Sequence, residues 1–442
     1  MFGPSVVWTV MLGAALLGAA AAFVGTFAVL RGRALVGDML AHAALPGICA
    51  AFLLTGTREL LTLSVGALAT GLLGVMCVSA IVRWTRTTDD AAIGIVLSTF
   101  FGAGVVLLTV IQANPSGNQA GIDTYLFGEI ASLRSRDVAV IGIAAAMVVA
   151  LVTLMFKELQ VLSFDHDFAA TQGWPTFWLD LAVMAAVAVV TIIGLPICGV
   201  ILMAAMLITP AAAARFWTNR LGRMLVIAAV IGALSGVGGC LLAAPKLMTS
   251  FGLGWISTSR GMPPGPLIVL AGSALLLVSM FFAPERGLVA RWLSEWRLRR
   301  RIARDHLLRA LFELSEGQAD DRPWIARSRL EEYGSWSPTS SRFQLWQAAR
   351  AGFLEYEGDR IRFTEAGHTT AAQLVRAHRL WELYMVEGWR RSADQVHQGA
   401  DDLEHLLPAE VVEHLEAMLQ SEGRLPADIS GKVPESPHLL DS

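Results

Sequence analysis

Long apolar segments fill the first 284 residues of the chain, and they constrain its fold more than any other feature. A helix needs about 20 predominantly apolar residues to cross the hydrocarbon core of a bilayer, and each segment is close to that length. We therefore predict an all-α polytopic membrane protein. Eight spans are the alternative, because the segment 34–55 and the pair around Pro196 are candidates for irregular or re-entrant structure. The nine segments lie at residues 5–30, 34–55, 59–82, 90–112, 136–156, 179–197, 199–217, 222–245 and 265–283.

Composition divides the chain near Pro284. Overall, 54% of the residues are hydrophobic and only 16% are charged, and most of the charged residues follow Pro284. The first apolar run lacks a basic leading region and a cleavage site, so we predict a span and not a cleaved signal peptide. All four cysteines lie in apolar runs without a CxxC pair, which indicates packing residues and not disulfides or a zinc site.

Lysine and arginine residues in the short loops predict the orientation of the spans. With nine spans and a cytoplasmic C-terminus, the inside loops carry eight of these residues and the outside loops carry five. Because basic loops stay in the cytoplasm, we predict an outside N-terminus and a cytoplasmic C-terminus. The expected location is the bacterial cytoplasmic (inner) membrane.

A strongly basic segment follows the last apolar run. Seven arginines lie between residues 286 and 304, with Trp292 and Trp296 among them. A basic helix that leaves a span fits the anionic headgroup region, so we predict a juxtamembrane helix or linker at 285–303. In the simplest interpretation this segment is a stop-transfer flank, and a specific lipid or nucleic-acid patch is the alternative.

The sequence from residue 304 to 364 has the element order of a winged helix. Helical runs at 304–316 and 322–333 precede a third helix, for which Ser337 is a suitable N-cap and Pro338 a suitable first residue. Two alternating strands in "FLEYEGDRIRFT" follow, joined by a Gly-Asp turn. Three further helices are predicted at 365–388, 393–406 and 408–419, before a tail that we predict to be loose from residue 422 onward.

One carboxylate and one imidazole stand out within the apolar half. Asp38 and His42 lie four residues apart in "LVGDMLAHAALPG", so both side chains project from one helical face. Ionisable groups at membrane depth usually mark a pathway, and this donor set suits a divalent transition metal. Pro46 and Gly47, the last two residues of that motif, predict a helix break just past the pair that would line a cavity. The alternative is a satisfied pair, with the histidine donating to the carboxylate and locking two helices.

The segment "ALVGDMLAHAALPGICAAF" resembles the signature of the manganese, zinc and iron permeases of the ABC transporter class. Three further segments resemble that family in the same order: "TYLFGEIASLRSRD" (124–137), "KELQVLSFDHDFAATQGWP" (157–175) and "CGVILMAAMLITPAAAARF" (198–216). The resemblance implies a homodimeric permease with a metal path between the subunits. It also implies that Asp38 and His42 line this path as transient ligands or as a gate.

The polar stretch "SFDHDFAATQGWP" is, by its composition, only a short helix or loop between two spans. The resemblance implies that it is the coupling helix that docks into an ATPase, with Asp165, Phe168, Ala169 and Gly173 at the matching positions. The chain contains no GxxxxGK[ST] phosphate loop, no nucleophile elbow, no HExxH and no dinucleotide fingerprint, so we predict that it is not an enzyme. The resemblance therefore implies a separate ATP-binding subunit and an extracytoplasmic metal-binding protein.

A second set of metal-type residues lies near the C-terminus. His378 and Glu382 are four residues apart on one predicted helix. On the next helix, four more such residues fall within an arc of about 100°. Imidazoles with carboxylates suit Mn²⁺, Fe²⁺ or Zn²⁺, and a solvated acidic face is the alternative. The four residues are His397, Asp401, Glu404 and His405.

Residues 304–420 resemble the iron- and manganese-dependent repressors. The resemblance places all six of these residues, and His306 on the first helix, at ligand positions, and it implies a metal-binding and dimerisation region at 365–421. Asp401 stands where iron sensors have a thiol, which favours Mn²⁺. The predicted recognition helix, 338–352, has only Arg342 and Arg350 as cations, too few for sequence-specific DNA binding.

These observations predict a membrane domain at 1–284 and a fused cytoplasmic winged-helix and metal-binding domain. The predicted function is the permease subunit of an ATP-driven importer of Mn²⁺, or of Fe²⁺ or Zn²⁺, with a metal sensor that regulates transport. A membrane-anchored metal-responsive DNA-binding regulator is the first alternative, and a metal–proton secondary transporter is the second. The sequence decides neither the metal nor whether internal metal inhibits or activates transport.

Overall fold

The structure is a computed structural model, and it divides into two compact units, Met1–Arg291 and Trp292–Ser442. The residues that the structure describes are 4–57, 59–113, 133–243, 264–316, 318, 320, 322–334, 336–388, 409–423, 425 and 433–434.

The described residues of the first unit form helices joined by turns and short connections. Nine helical segments there are long and apolar enough to cross a membrane, which confirms the predicted polytopic all-α class and favours nine spans over eight. The helices are α1 (Pro4–Leu30), α2 (Val36–Thr55), α3 (Leu60–Trp84), α4 (Asp89–Ala113), α5 (Ser135–Leu154), α6 (Phe156–Phe164), α7 (His166–Thr171), α8 (Thr176–Trp217), α9 (Leu221–Ala243) and α10 (Pro264–Phe282).

The pair of segments around Pro196 forms one long element, α8, with a sharp internal kink. Gly199 has φ 78°, a left-handed conformation that glycine adopts at little cost. Pro196 precedes it and lacks the amide hydrogen that would continue the helical hydrogen bonds. The two halves of α8, Thr176–Pro196 and Cys198–Trp217, are each long enough to span.

Small residues allow the helices of the first unit to pack closely. A Cβ atom at Gly25 of α1 would lie 2.0 Å from the carbonyl oxygen of Leu207 in α8, so only glycine fits there. Lipid is as apolar as the side chains, so close backbone packing replaces the hydrophobic driving force between spans. α2 is an inner helix, because 72% of its most apolar 18-residue stretch is buried. It packs against α3, α4 and α8.

The second unit combines helices with a small antiparallel sheet. The strand order is β1-β3-β2, and the residues paired between strands include Ile325 with Ile361 and Leu354 with Phe363. Gly358 has φ 63° in the hairpin turn that the sequence predicts. The elements are α11 (Leu288–Ser315), β1 (Ile325–Ala326), α12 (Arg327–Tyr333), α13 (Pro338–Arg350), β2 (Leu354–Glu357), β3 (Arg360–Phe363), α14 (Glu365–Gly388) and α15 (Ala409–Ser421).

This order of elements agrees with the expected one, although the winged-helix assignment itself stays a prediction. Leu311 of α11, Leu345 of α13, Ile361 of β3 and Val375 of α14 are all buried in one hydrophobic core. Ser337 caps α13 as predicted, because its hydroxyl oxygen accepts a hydrogen bond from the amide of Ser340.

Three local features differ from the sequence-based division. α11 runs unbroken from Leu288, so the basic linker and the first helix of the soluble domain are one element, because no glycine or proline interrupts them. The helix predicted from residue 322 begins only at Arg327, because the two residues before it pair with β3. Within the tail predicted as loose, the described residue Leu425 is buried among leucines of α14 and α15.

Candidate functional site

Asp38 and His42 form the first candidate site, near the start of α2. Arg33 ends a tight turn after α1 in which Gly32 has φ 71°, and α2 begins at Val36. Asp38 therefore lies in the first helical turn, where the helix dipole favours a carboxylate. The Nε2 atom of His42 lies 3.6 Å from Oδ1 of Asp38, and the two side chains are 27% and 39% exposed.

The distance between these two groups exceeds that of a good hydrogen bond. The pair also belongs to a single helix, so it does not lock two helices together, as the alternative interpretation required. The His42 ring instead packs edge-to-face on Phe101 of α4, with the ring centroids 4.9 Å apart. Met39 and Leu40, which lie between the two residues in sequence, are fully buried, so the pair stands at the edge of an apolar core and the Phe101 contact orients the ring.

The predicted helix break at Pro46 and Gly47 is wrong, because α2 continues to Thr55. Gly47 instead allows close packing, since a Cβ atom there would lie 2.1 Å from the carbonyl oxygen of Gly66 in α3. Pro46 has no amide hydrogen, so it donates nothing to the carbonyl oxygen of His42 four residues earlier. The interruption predicted from the sequence is thus a missing hydrogen bond beside His42 and not an end of the helix.

The predicted coupling segment is the short helix α7 with its two ends. The Oδ1 atom of Asp165 accepts a hydrogen bond of 2.8 Å from the amide of Phe168 and so caps the helix. Ala169 is fully buried, whereas the Phe168 side chain is 50% exposed. Gly173, with φ 78°, turns the chain after the helix. The four residues therefore cap, anchor and end a helix that presents one apolar ring outward.

An ion cluster, not anticipated from the sequence, lies near this segment. Its members are Arg31 and Arg33 in the turn before α2, Asp89 at the start of α4 and Asp180 near the start of α8. Arg33 donates to Asp180 Oδ2 at 2.7 Å and to Asp89 Oδ2 at 2.8 Å, and Arg31 pairs with Asp180. Burial opposes the charge of Arg33, but the hydrogen bonds and charges of both carboxylates outweigh it and raise its pKa.

The ion cluster lines a cavity of about 850 Å³. Leu162, Phe164, Trp174 and Thr176, which flank α7 on both sides, line the same cavity. The predicted coupling segment and the turn that leads into α2 therefore line one cavity. Asp180, a carboxylate inside an apolar run, is the sequence signal that could have pointed to this cluster.

His378 and Glu382 form the second candidate site, on α14. The Nε2 atom of His378 lies 3.0 Å from Oε1 of Glu382, and the side chains are only 2% and 3% exposed. Nη1 of Arg309, on α11, lies 3.1 Å from Nδ1 of the same ring. The same Nη1 atom lies 3.4 Å from Nε2, so the guanidinium contacts the ring as a donor only. The 3.0 Å contact with the Glu382 carboxylate requires a hydrogen on Nε2.

Ion pairs hold α14 in place around this pair. Both guanidinium Nη atoms of Arg379 bind the carboxylate of Glu316, at 2.8 and 2.5 Å, and Nη1 also donates to the carbonyl oxygen of Pro434. Arg376 pairs with Glu416 of α15. These contacts hold α14, the helix that carries His378 and Glu382, against neighbouring segments of the second unit, and a fixed helix of this kind favours a preorganised site.

Of the other predicted ligands of the second site, the structure describes His306 alone. His306 lies on α11, one turn before Arg309, and is partly buried. Within the described ranges, no group of three or more histidine, cysteine, aspartate and glutamate residues is arranged to hold a metal ion. His397, Asp401, Glu404 and His405 lie outside the described residues.

Comparisons with known proteins agree with both resemblances. The family described as "ABC 3 transport family" matches residues 5–283, and the family described as "Iron dependent repressor, metal binding and dimerisation domain" matches residues 364–426. Both families that the sequence resembles are therefore confirmed, and they occupy separate parts of the chain.

Two relatives differ in how much of the chain they cover. The manganese transport system membrane protein MntC of Bacillus subtilis (strain 168) is 38% identical over 424 residues, which are 96% of this chain and 93% of that protein. The zinc transport system membrane protein TroC of Treponema pallidum (strain Nichols) is 40% identical over 303 residues, 68% of this chain and 95% of that protein.

A solved structure is also similar. The structure of PsaBC from Streptococcus pneumoniae in complex with Fab matches with a TM-score of 0.52 and 30% identity. The match covers 65% of this chain and 94% of that chain. The polytopic helical architecture is thus shared with an experimentally determined structure.

Proposed function

Because the chain belongs to the ABC 3 transport family, we propose that it is the permease subunit of an ATP-driven importer of divalent transition metal, with Mn²⁺ as the main substrate. The observation that carries this proposal is the Asp38–His42 pair on the inner helix α2. One carboxylate oxygen and one imidazole nitrogen, 3.6 Å apart and partly exposed, form a donor set that a passing divalent ion can use.

Two arguments favour manganese over zinc and iron. A relative named for manganese transport is similar over 96% of the chain, whereas the relative named for zinc transport is similar over 68%. Mn²⁺ also accepts oxygen-rich ligand sets, and Asp401 adds an oxygen donor at a predicted sensor position. Fe²⁺ and Zn²⁺ stay as alternatives that a metal competition assay separates.

The permease acts with partners in this proposal. A second copy of the chain and water complete the coordination of the ion, and an extracytoplasmic metal-binding protein delivers it. A separate ATP-binding subunit docks on α7, where the exposed Phe168 ring offers an apolar contact and Asp165 keeps the helix capped. The ion cluster then links the docking segment to α2, because Asp180 follows the segment and Arg33 precedes Asp38 by five residues.

The C-terminal unit is a cytoplasmic metal sensor in this proposal. A metal ion fits His378 and Glu382 because their Nε2 and Oε1 atoms already face each other at 3.0 Å in a buried site. His306, His397, Asp401, Glu404 and His405 would supply the remaining ligands. We propose that an occupied sensor inhibits transport, the direction that limits internal metal.

Uptake of radioactive manganese tests the transport path. We expect Asp38→Ala and His42→Ala each to lower uptake at least about 10-fold, a loss that even outer-shell changes at metal sites produce. Asp90→Asn is the matched control, because this carboxylate is exposed at the start of α4 and makes no contact with the pair. Cells for the assay would lack other manganese importers and carry the partner subunits.

Two different failures are distinguishable in this assay. Wild-type uptake by both alanine variants would remove the path assignment and leave the permease function intact. No uptake by the wild-type chain together with its ATP-binding subunit would instead remove the permease function. Uptake that continues without any ATP-binding subunit would favour a secondary transporter.

A further inference from the structure

Aromatic rings and guanidinium groups alternate along one surface of the second unit. Trp292 and Trp296 of α11 stack with their centroids 6.4 Å apart, and the Cζ atom of Arg300 lies 3.1 Å from the Trp296 centroid. The same Cζ atom lies 5.1 Å from the ring of Phe343 in α13. We call this surface the aromatic–arginine ladder, and its members are Trp292, Trp296, Arg300, Phe343, Trp346 and Arg350.

The ladder continues along α13. The rings of Phe343 and Trp346 lie 6.2 Å apart, and the Cζ atom of Arg350 lies 5.3 Å from the Trp346 ring. The two helices therefore share one continuous surface, and Arg300 bridges them through contacts with a ring on each side.

The rings of the ladder are exposed to an unusual extent. Trp292 is 65% exposed, Trp346 52%, Phe343 46% and Trp296 40%. Large apolar side chains that are exposed together on one surface commonly mark an interaction site. The hydrophobic core of the second unit lies elsewhere, among buried residues such as Leu311 and Leu345, and it does not use these rings.

Chain connectivity and charge identify the partner. α10 ends at Phe282 and α11 begins at Leu288, so the first rings of the ladder follow a predicted span by about one helical turn and a short loop. Tryptophan is enriched at membrane–water interfaces, and arginine clusters next to a span bind anionic headgroups. Between residues 286 and 304 the chain has seven arginines and one acidic residue, Glu295.

Nucleic acid fits the same surface poorly. A helix that reads DNA needs side chains that hydrogen-bond to base edges and phosphates. The exposed face of α13 carries Thr339, Ser340 and Arg342, but its large exposed rings, Phe343 and Trp346, are apolar. The cations of α13 are Arg342 and Arg350, and Arg350 already lies over the Trp346 ring. An apolar and basic surface matches the boundary between lipid chains and anionic headgroups better than the hydrophilic groove of a duplex.

We propose that the aromatic–arginine ladder docks the second unit on an anionic lipid surface. The rings enter the interface between headgroups and chains, and the arginines pair with lipid phosphates. Docking would hold α13 against the bilayer and away from DNA. This role requires neither metal in the second site nor the direction of regulation proposed above.

A depth measurement on the full chain tests the proposal. A spin label on Thr339→Cys, exposed on α13 one turn before Phe343, reports contact with lipid through its accessibility to oxygen relative to a nickel chelate. The chain would be placed in nanodiscs of phosphatidylcholine alone or with added phosphatidylglycerol. We expect the oxygen preference to rise only in the anionic discs. A label on Glu357→Cys, exposed on β2, is the matched control and stays water-accessible.

Variants separate docking from misfolding. Phe343→Ser with Trp346→Ser would return the label in anionic discs to the value of neutral discs, whereas Tyr356→Ser, which removes a 47% exposed ring from the hairpin, would not. Should the double variant fail to fold, Arg300→Glu gives the same test by reversing the central charge. A chain without an added cysteine corrects for labelling of the native thiols.

Three results would overturn the proposal. The first is a Thr339→Cys label with equal water accessibility in neutral and anionic discs. The second is protection of the label by duplex DNA in neutral discs, together with a gel shift, which would make the ladder a nucleic-acid surface. The third is dipolar broadening between labels in neutral discs, which would make the ladder an interface between two copies of the chain.

Discussion

Two histidine–carboxylate pairs with the same spacing have opposite environments in this molecule. The open pair, Asp38 and His42, is 39% and 27% exposed with its polar atoms 3.6 Å apart. The closed pair, His378 and Glu382, is 2% and 3% exposed, with its atoms 3.0 Å apart and Arg309 on the second ring nitrogen. A four-residue helical spacing therefore brings the donors together, and the surroundings decide what the donors do.

The difference follows from what an arriving ion must displace. On the proposed transport path, an ion at the open pair would break no hydrogen bond between the two residues, so it could bind and leave quickly. In the proposed sensor, an ion at the closed pair would replace the proton between His378 and Glu382 and would change the contact with Arg309. The open pair is suited to passage, and the closed pair is suited to a response that rearranges α11 and α14.

The largest expected difference between the pairs is in stability. His378→Ala removes the buried donor of Glu382 and should lower the free energy of unfolding by about 3 kcal/mol, the lower end for breaking a buried pair. His42→Ala removes a partly exposed ring without a hydrogen bond to Asp38 and should cost less than about 1.5 kcal/mol. Thermal unfolding of the purified full chain in detergent measures both. Equal costs would show that burial does not distinguish the pairs.

A second test, with a smaller expected effect, concerns the ion cluster beside the start of α2, the helix that carries the open pair. Asp180→Asn leaves two partly buried guanidinium groups with one carboxylate, Asp89, and should cost about 2 kcal/mol. If the cluster transmits motion to α2, manganese uptake should fall by more than the loss of folded protein explains. Asp90→Asn, on the neighbouring exposed carboxylate, controls for the loss of one charge. Full uptake in a folded Asp180→Asn chain would restrict the cluster to a structural role.

The sequence predicted the parts of this comparison that depend on local periodicity. Segment length predicted nine spans, and the spacing of four predicted that each pair shares a helical face. Long-range proximity was not predictable: residues 33, 89 and 180 are far apart in the chain, and nothing local brings their side chains together. For the same reason, neither the burial of His378 nor the contact of its ring with Arg309 was foreseen.

Local reasoning also failed where tertiary packing overrides propensity. Pro46 and Gly47 predicted a break in α2, yet the close contact of Gly47 with Gly66 of α3 favours a continuous helix there. Ile325 joins a strand because Ile361 is available to pair with it, and a two-residue strand has no periodicity to detect. Both failures lie at contacts between elements.

Regulation gives the third prediction, at the level of a few-fold change. Glu404→Ala with His405→Ala removes two proposed sensor ligands, so internal manganese should rise about 5-fold, the lower end of typical coupling between sites. Metal analysis of cells grown in excess manganese measures this accumulation. His414→Ala, on α15 outside the proposed ligand set, is the matched control. Unchanged accumulation would mean that the second unit does not inhibit transport.

The smallest expected effect comes from the most conservative change in the closed pair. Glu382→Gln keeps an oxygen that accepts the hydrogen bond from His378 Nε2, so the free energy of unfolding should change by only about 0.5 kcal/mol. The amide carries no charge, however, and is a much weaker ligand for a divalent ion. Added Mn²⁺ should therefore raise the melting temperature of the wild-type chain and of Glu365→Gln, an exposed change on the same helix, but not that of Glu382→Gln. If Mn²⁺ stabilises all three equally, the closed pair is only a buried hydrogen bond, and the open pair alone is concerned with metal.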